Sequence, residues 1–362
     1  RKFVAETIYD IVRWKRLYAE IAEIKKEPFD RDGIWRMFAV WATLKGHTLP
    51  DWKYFEGTPV RKIKGKFDEL SKDRKFKESI PDWMDEIGVK ELGEAVWSKE
   101  IKAQNEPAKV ILRTNTINTT KEALKLELLK LDIHTQAIED YPEALVLDER
   151  ANVFMTDAFK NGMFEVQDAS SQMVAHMLDI QPGMRVVDTC AGAGGKTLHM
   201  ACLMQNKGQI IAMDLYESKL KQLKIRAKRN GIHNIEYRVI DTTKVIKKLH
   251  GQADRVLIDA PCSGLGVLKR NPDAKWKLKP EFIDNIRKVQ AEVLESYAPI
   301  VKPGGKLVYA TCSVLPSENQ EQIKKFLATE TGKNFTFVED KKVLAHESGY
   351  DGFYMALLTR NN

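Results

Sequence analysis

The most restrictive feature of this sequence is a regular alternation of apolar, strand-like runs with amphipathic helical runs across residues 183–358. Strands that alternate with helices are typical of a parallel sheet whose connections are helical crossovers. We therefore predict an α/β domain built on a seven-stranded, mostly parallel sheet. The predicted strands are residues 185–189, 209–214, 235–240, 255–259, 306–311, 335–338 and 352–358.

Two smaller segments precede this domain. The N-terminal stretch has apolar residues at three-to-four-residue spacing, which predicts a small helical domain. The next stretch has strand-like runs at 109–115 and 144–147, and between them an amphipathic helix at 120–131 that Thr120 can cap. The predicted division is a helical segment (1–95), a small α+β segment (96–165) and the α/β domain (166–362).

The chain is basic, with a net charge of +7, which favours a polyanionic partner such as a nucleic acid. Residues 60–79 carry eight Lys or Arg against four Asp or Glu. We favour a solvated helix face for them over an RNA-binding patch, and both interpretations stay open. No apolar run approaches the roughly 18–20 residues that cross a bilayer, and the first residues do not resemble a secretory signal. We expect a cytoplasmic protein without a membrane partner.

The cysteines and histidines lack the spacing of a metal site. The four cysteines contain no CxxC pair, and the seven histidines show neither HExxH nor HxxxH spacing. We therefore predict no bound metal, and no disulfide in a reducing compartment. Cys202 lies inside a predicted helix and is interpreted as a core residue, and Cys190 as a residue that packs in a loop.

A glycine-rich turn after the first predicted strand indicates a cofactor site. Residues 186–197 read VVDTCAGAGGKT, so an apolar strand leads into a turn that opens a helix, where backbone amides can approach a ligand. The spacing fits neither GxGxxG nor the phosphate-binding GxxxxGK[ST]. Asp214 ends the next strand and can accept hydrogen bonds from ribose hydroxyls. Asp241 follows the third strand and either holds an adenine amino group or caps a helix before Thr242.

Two cysteines follow neighbouring strands in DAPCSGLG (259–266) and YATCSVLPSEN (309–319). Because the carboxyl ends of parallel strands share one sheet edge, Cys262 and Cys312 are expected beside the cofactor site. A thiolate there suits methyl transfer to carbon 5 of cytosine, because addition at carbon 6 makes carbon 5 nucleophilic. Asp259, if protonated, could donate to ring nitrogen 3.

The residues alone leave open which thiol attacks. Cys262 can assist the release of the product, or Pro261 and Cys262 can simply shape a turn. A thiolate would be stabilised by a helix N-terminus, and a helix is predicted to begin near Ser317. The candidate cations are Lys196, Lys269 and Arg270.

With these motifs in place, residues 167–358 resemble the RsmB/Sun family of RNA cytosine-5 methyltransferases. The matching runs are QDASSQ (167–172), DTCAGAGGKT (188–197), DAPCSGLG, KRNPDAKW (269–276), YATCSVLPSEN and DGFYMALL (351–358). The resemblance implies a Rossmann-like class I methyltransferase fold, S-adenosylmethionine as cofactor and 16S ribosomal RNA as substrate. It also implies that Cys312 is the nucleophile and that Cys262 helps to release the product, whereas DNA cytosine-5 enzymes attack from the PC motif.

The same resemblance implies the binding residues. The implied cofactor contacts are Cys190, Ala191, Gly192, Ala193, Gly194, Gly195, Lys196, Asp214, Lys219, Asp241 and Asp259. Lys269 and Arg270 are expected to contact RNA. Two positions differ from the family's usual pattern: the loop commonly reads CAAPGGKT, and an arginine is common where this chain has Lys219.

The N-terminal helices resemble the later part of the family's NusB-like RNA-binding domain, so we expect this segment to be N-terminally incomplete. Residues 109–164 resemble the family's small α+β segment, which is expected to grip RNA. We expect a monomer without an obligate protein partner. The alternatives are a transfer-RNA or DNA methyltransferase, and a catalytically idle RNA-binding assembly factor. Intact Cys262, Cys312, Asp259 and Lys196 argue against an idle site.

Overall fold

The computed structural model describes residues 2–24 and 27–362, so Arg1, at which the predicted helical segment begins, lies outside the described residues. The helices are α1 (Lys2–Arg13), α2 (Lys15–Ile21), α3 (Arg31–Leu44), α4 (Val60–Leu70), α5 (Arg74–Lys77), α6 (Asp82–Leu92), α7 (Glu94–Gln104), α8 (Lys121–Leu129), α9 (Asp157–Lys160), α10 (Ala169–Met177), α11 (Gly195–Leu203), α12 (Glu217–Arg229), α13 (Thr243–Lys247), α14 (Ala274–Lys277), α15 (Pro280–Tyr297), α16 (Gln320–Leu327) and α17 (Ala345–Ser348).

The strands are β1 (Ile111–Thr114), β2 (Thr135–Ile138), β3 (Tyr141–Leu147), β4 (Phe164–Val166), β5 (Arg185–Asp188), β6 (Gln209–Asp214), β7 (Ile235–Val239), β8 (Ala253–Asp259), β9 (Val301–Thr311), β10 (Phe335–Val343) and β11 (Phe353–Arg360). Short 3-10 helices span Val153–Met155, Ala298–Ile300, Pro316–Glu318 and Gly332–Asn334. No helix among the described residues is both long enough and apolar enough to span a bilayer.

The chain forms two compact units, a helical one and an α/β one. The helical unit contains Arg1–Glu106 and Leu268–Pro280, and the α/β unit contains Pro107–Val267 and Glu281–Asn362. The sequence predicts three segments, whereas the structure separates two compact units, so the three-segment division stays a prediction.

A buried lysine holds the second piece of the helical unit to the first. Lys275 Nζ donates to the backbone oxygens of Arg13 (3.2 Å) and Glu78 (3.1 Å) and to Asn105 Oδ1 (2.6 Å). Its side chain is fully buried, and this burial lowers its pKa to about 7. An ammonium out of water is tolerated only where oxygen acceptors surround it, so these bonds fix the position of this segment.

A four-stranded antiparallel sheet, in the order β2-β3-β1-β4, forms the first part of the α/β unit. Leu112 and Leu145 of this sheet pack with Leu124 and Leu128 of α8. Thr120 caps α8 as predicted, because its hydroxyl accepts a hydrogen bond from Ala123 N–H (3.2 Å). Strands β2 and β4 were not predicted.

The seven-stranded sheet, in the order β10-β11-β9-β8-β5-β6-β7, confirms the predicted α/β fold. Strands β5 to β9 pair in parallel, while β11 runs antiparallel to both of its neighbours. Alternate residues enter two cores: Val186 packs on one face with α10 to α12, and Val187 packs on the other with α15 and α16. Each predicted strand occurs, although β9 begins five residues earlier than expected, at Val301, where it pairs with Ala253.

Candidate active site

The glycine-rich turn between β5 and α11 (residues 190–196) forms a cradle that packs against Leu223 on one side and is open on the other. Gly194 adopts a left-handed conformation (φ +90°), and an added Cβ there would lie 1.9 Å from Leu223 Cδ1. At Gly192 and Gly195, by contrast, an added Cβ would meet nothing within 4 Å. These two glycines therefore border open space at the N-terminus of α11, where backbone amides favour a polar ligand.

Two of the predicted cofactor-binding carboxylates lie at the ends of neighbouring strands. Asp214, at the end of β6, accepts hydrogen bonds from the N–H groups of Gly192 and Tyr216, both at 2.8 Å. Asp241 follows β7 and is exposed. The alternative in which Asp241 caps a helix is wrong, because Thr242 occupies the N-cap position of α13. Lys219 is exposed in the first turn of α12.

Two arginines support the glycine-rich turn from outside the motif. Arg226 Nη1 donates to the backbone oxygen of Ala193 (2.6 Å), and Arg113 Nη1 donates to that of Gly195 (2.5 Å). Glu165 accepts a hydrogen bond from Arg226 Nη2 (2.9 Å). None of these three residues was predicted from the sequence. The available signal was Arg113 itself, a charge inside an apolar strand, which must find a partner when buried.

Lys196 and Asp259 form an ion pair at the carboxyl end of β8, with Nζ and Oδ2 2.6 Å apart. Burial acts to lower the pKa of Lys196, but attraction to Asp259 outweighs it and raises that pKa. Phe353 also lies below the ammonium, whose Nζ is 5.0 Å from the centre of the ring. Lys196 is therefore a charged donor that is hydrogen-bonded to a carboxylate.

The two predicted cysteines meet at this sheet edge, where Cys262 Sγ and Cys312 Sγ are 3.4 Å apart. The hydrogen bond to Cys312, together with burial, raises the pKa of Cys262 well above its usual value. Either thiol can donate this hydrogen bond, but the raised pKa of Cys262 favours its protonated form. Cys262 is therefore the thiol of this pair that holds its proton.

A buried glutamate joins the loops that carry these thiols. Glu318 accepts hydrogen bonds from Ser263 N–H (2.8 Å), Ser263 Oγ (2.5 Å), Ser313 Oγ (2.6 Å) and Gln290 Nε2 (2.9 Å). Ser263 follows Cys262 and Ser313 follows Cys312, so one carboxylate positions both loops. Glu318 belongs to the YATCSVLPSEN run, but its role was not predicted from the sequence.

Gly266 holds the same two loops by their backbones. Its N–H donates to the Cys312 carbonyl (2.9 Å), and a Cβ at this position would lie 2.8 Å from that oxygen. Only glycine allows this approach, which explains the glycine in this part of DAPCSGLG.

The remaining predicted residues lie elsewhere. Cys202 lies within α11 and is buried in the core, and burial raises the pKa of both Cys202 and Cys190, as expected for unreactive thiols. Lys269 and Arg270 belong to the helical unit. Lys269 is 4% exposed and Arg270 is half-buried, so burial does not favour the predicted RNA contact of Lys269.

Comparison with known proteins matches residues 175–359 to the family described as 16S rRNA methyltransferase RsmB/F and residues 80–154 to an RsmF/B-like, ferredoxin-like domain. A probable ribosomal RNA small subunit methyltransferase B from Synechocystis sp. is 34% identical across 78% of this chain and 67% of its own length. One from Bacillus subtilis is 33% identical across 78% and 66%. The chain thus spans about two thirds of these relatives. The crystal structure of PH0851 superposes with a TM-score of 0.84 at 29% identity, covering 99% of this chain and 89% of that one.

Proposed function

Because the chain belongs to the RsmB/F family of 16S rRNA methyltransferases, we propose that it methylates carbon 5 of a cytosine in 16S ribosomal RNA. The proposed methyl donor is S-adenosylmethionine, and the reaction passes through a covalent bond between Cys312 and the base. The observation that carries this proposal is the pair of thiols 3.4 Å apart at the sheet edge that also holds Lys196 and Asp259.

The residues of the cradle fit S-adenosylmethionine. Gly192 and Gly195 border open space that a larger side chain would fill, and Asp214 stands at the end of β6, where a ribose can bind. The same cofactor role is proposed for the rest of residues 190–196 and for Lys219, Asp241 and Asp259. When bound, S-adenosylmethionine supplies an activated methyl group.

Cys312 is the proposed nucleophile. As a thiolate it adds to carbon 6 of cytosine, and the electron pair displaced from the C5–C6 double bond makes carbon 5 nucleophilic. The Cys262 thiol supports this step, because a hydrogen bond donated to Cys312 Sγ stabilises its negative charge. The roles agree with those that the family resemblance implies.

The Lys196–Asp259 pair supplies the proton that the ring needs. Nucleophilic addition places negative charge on ring nitrogen 3, and the proton held between Nζ and Oδ2 neutralises it. The sequence alone predicts a protonated Asp259 as this donor. The ion pair instead makes a proton of Lys196 available beside a partly buried, ionised Asp259.

Cys262 is the proposed base for product release. Its raised pKa depends chiefly on Cys312, and Cys312 loses its negative charge once its sulfur is bonded to carbon 6. Cys262, which is partly exposed, can then release its own proton to solvent and, as a thiolate, take the proton from carbon 5. The C5–C6 double bond re-forms, Cys312 leaves as a thiolate, and the proton at nitrogen 3 returns to Lys196 and Asp259.

The choice of RNA rests on the relatives, whose names give ribosomal RNA of the small subunit as substrate. The net charge of +7 favours such a polyanion. We assign RNA binding to the helical segment (1–95), the α+β segment (96–165) and the pair Lys269 and Arg270, of which Arg270 is the more exposed. A cytoplasmic monomer remains the expected state.

The test measures transfer of labelled methyl groups to separated 16S rRNA, transfer RNA and DNA. We expect label in 16S rRNA, at carbon 5 of cytosine. Label confined to transfer RNA would select the alternative substrate, and no label in any RNA would reject the proposal in favour of an idle assembly factor.

Three variants test the roles of the thiols. Cys312→Ala should abolish both turnover and the covalent adduct, whereas Cys262→Ala should accumulate a protein–RNA adduct that survives denaturation. Cys202→Ala is the matched control and should retain both activities, because its thiol lies in the core. Exchanged phenotypes for Cys262 and Cys312 would reverse the assigned roles.

A further inference from the structure

We propose that Glu143, His176 and His199 form a binding site for one divalent transition-metal ion of the zinc type. Glu143 lies on β3, His176 on α10 and His199 on α11, all within the α/β unit. The three residues are separated by 33 and 23 positions in the sequence, so the spacing of histidines could not reveal them. This inference goes beyond the methyltransferase proposal and does not rest on it.

The geometry is close to that of a three-ligand zinc site. One ligand atom from each residue lies within 4.8 Å of the others. His176 Nε2 is 2.8 Å from Glu143 Oε2, and His199 Nε2 is 3.5 Å from the same oxygen. Ligand atoms about 2.0–2.1 Å from a tetrahedral ion lie roughly 3.3 Å apart, so small side-chain adjustments suffice.

His199 supplies an independent indication of a ligand. Its side chain is fully buried, and neither ring nitrogen has a hydrogen-bond partner in the described part of the chain. Buried polar atoms are rarely left without a partner. A metal ion bonded to Nε2 would satisfy the nitrogen that faces Glu143 and His176.

The three side chains supply the kinds of ligand atom that zinc prefers. Zinc binds imidazole nitrogen and carboxylate oxygen, and the cluster offers two of the first and one of the second. Binding through His176 Nε2 uses the tautomer that carries its proton on Nδ1.

A neighbouring cavity leaves room for a fourth ligand. It has a volume of about 350 Å³ and is lined by Glu143 and His176 among others, including Tyr141, Gln172 and Met173. Water can therefore reach the proposed ion, which gives the open coordination position typical of a site with three protein ligands. His199 follows Lys196 by less than one helical turn, so an ion here would link β3 and α10 to the helix that carries the cofactor cradle.

The experiment uses the full chain with Cys262→Ser and Cys312→Ser, because the thiol pair is itself able to bind zinc. After treatment with a chelator and dialysis, the protein is titrated with Zn²⁺ by calorimetry and with Co²⁺ by visible absorption. We expect one equivalent to bind, with the spectrum of nitrogen and oxygen ligands, and the melting temperature to rise with metal.

Single substitutions assign the site. Each of His176→Gln and Glu143→Gln should weaken the binding of Zn²⁺ by about 100-fold or more. His134→Gln is the matched control, because it removes an exposed histidine beside Asp132 and should leave affinity unchanged. His176 is partly exposed, so its variant should fold even if His199→Gln does not. The proposal fails if no saturable equivalent binds, or if neither His176→Gln nor Glu143→Gln changes the affinity.

Discussion

Glu318→Ala should uncouple the two thiol-bearing loops. The wild-type carboxylate is fully buried and accepts four hydrogen bonds, from Ser263 N–H, two serine hydroxyls and Gln290. Alanine removes every acceptor while the donors stay in place. The loop after Cys262 and the loop after Cys312 then lose their shared hydrogen-bond acceptor. The 3.4 Å distance between the two sulfurs is therefore no longer maintained.

The expected energetic cost follows from the contacts. Four bonds to a charged acceptor are worth about 1.5–3 kcal/mol each, but relief from burying a carboxylate offsets several kcal/mol of that total. We expect Glu318→Ala to lower the free energy of unfolding by about 3–5 kcal/mol, as for the loss of one partner in a buried ionic network. Glu318→Gln should cost about 1–2 kcal/mol, because its amide can donate to the two hydroxyls and its oxygen can still accept from Ser263 N–H and Gln290.

Urea unfolding and methyl-transfer kinetics test this reasoning together. At a temperature where the protein stays folded, Glu318→Ala should lower kcat by about 100-fold, as expected for reacting groups misplaced by about 1 Å, with little change in KM for S-adenosylmethionine. Glu318→Gln should retain most of the activity. Glu321→Ala, an exposed glutamate on α16, is the control for loss of charge. Wild-type kcat in folded Glu318→Ala would refute the positioning role.

Two further predictions concern the cofactor cradle. Gly194→Ala should destabilise the fold by about 1–3 kcal/mol in urea unfolding, because its Cβ would clash with Leu223, whereas Gly195→Ala should leave stability nearly unchanged and weaken S-adenosylmethionine binding in calorimetry. Equal effects of the two substitutions on stability would contradict the conclusion that Gly194 is closely packed and that Gly195 borders open space. Burial raises the pKa of Asp188 to about 7, so its stabilising contribution is complete below about pH 4 and is lost as pH rises through 7. Asp188→Asn should therefore gain stability relative to the wild type by up to about 4 kcal/mol between pH 4 and pH 9, and a pH-independent difference would exclude this carboxyl as the cause.

The sequence was sufficient for the parts of the site that the sheet itself brings together. Cys262 and Cys312 are 50 residues apart in the chain, but each follows a strand of a parallel pair, β8 and β9, so their meeting could be predicted from the strand pattern alone. Asp214 and the glycine-rich turn follow from the same rule for β6 and β5. The nature of the chemistry and the choice between the thiols needed the family resemblance.

The residues that the sequence did not reveal come from strands and helices that are far apart in the chain. Arg113 lies on the four-stranded sheet and contacts the glycine-rich turn. The cluster of Glu143, His176 and His199 contains residues of one strand and two helices. Lys275 was quoted within a family motif, yet it is held by the carbonyls of Arg13 and Glu78 in the helical unit. No spacing rule connects such residues, because only tertiary packing makes them neighbours.

Among these supporting residues, Glu318 and Lys275 lie in polar stretches of the sequence, and only the structure shows that their side chains are fully buried. Arg113, by contrast, stands in the apolar run KVILRTN. An ionisable side chain in such a segment costs several kcal/mol unless a partner satisfies it, so its presence implies a specific tertiary contact even where the partner is unknown. A charge inside an apolar run, treated as one half of an unidentified pair, therefore selects Arg113 from the sequence, whereas the roles of Glu318 and Lys275 and the identity of every partner required the structure.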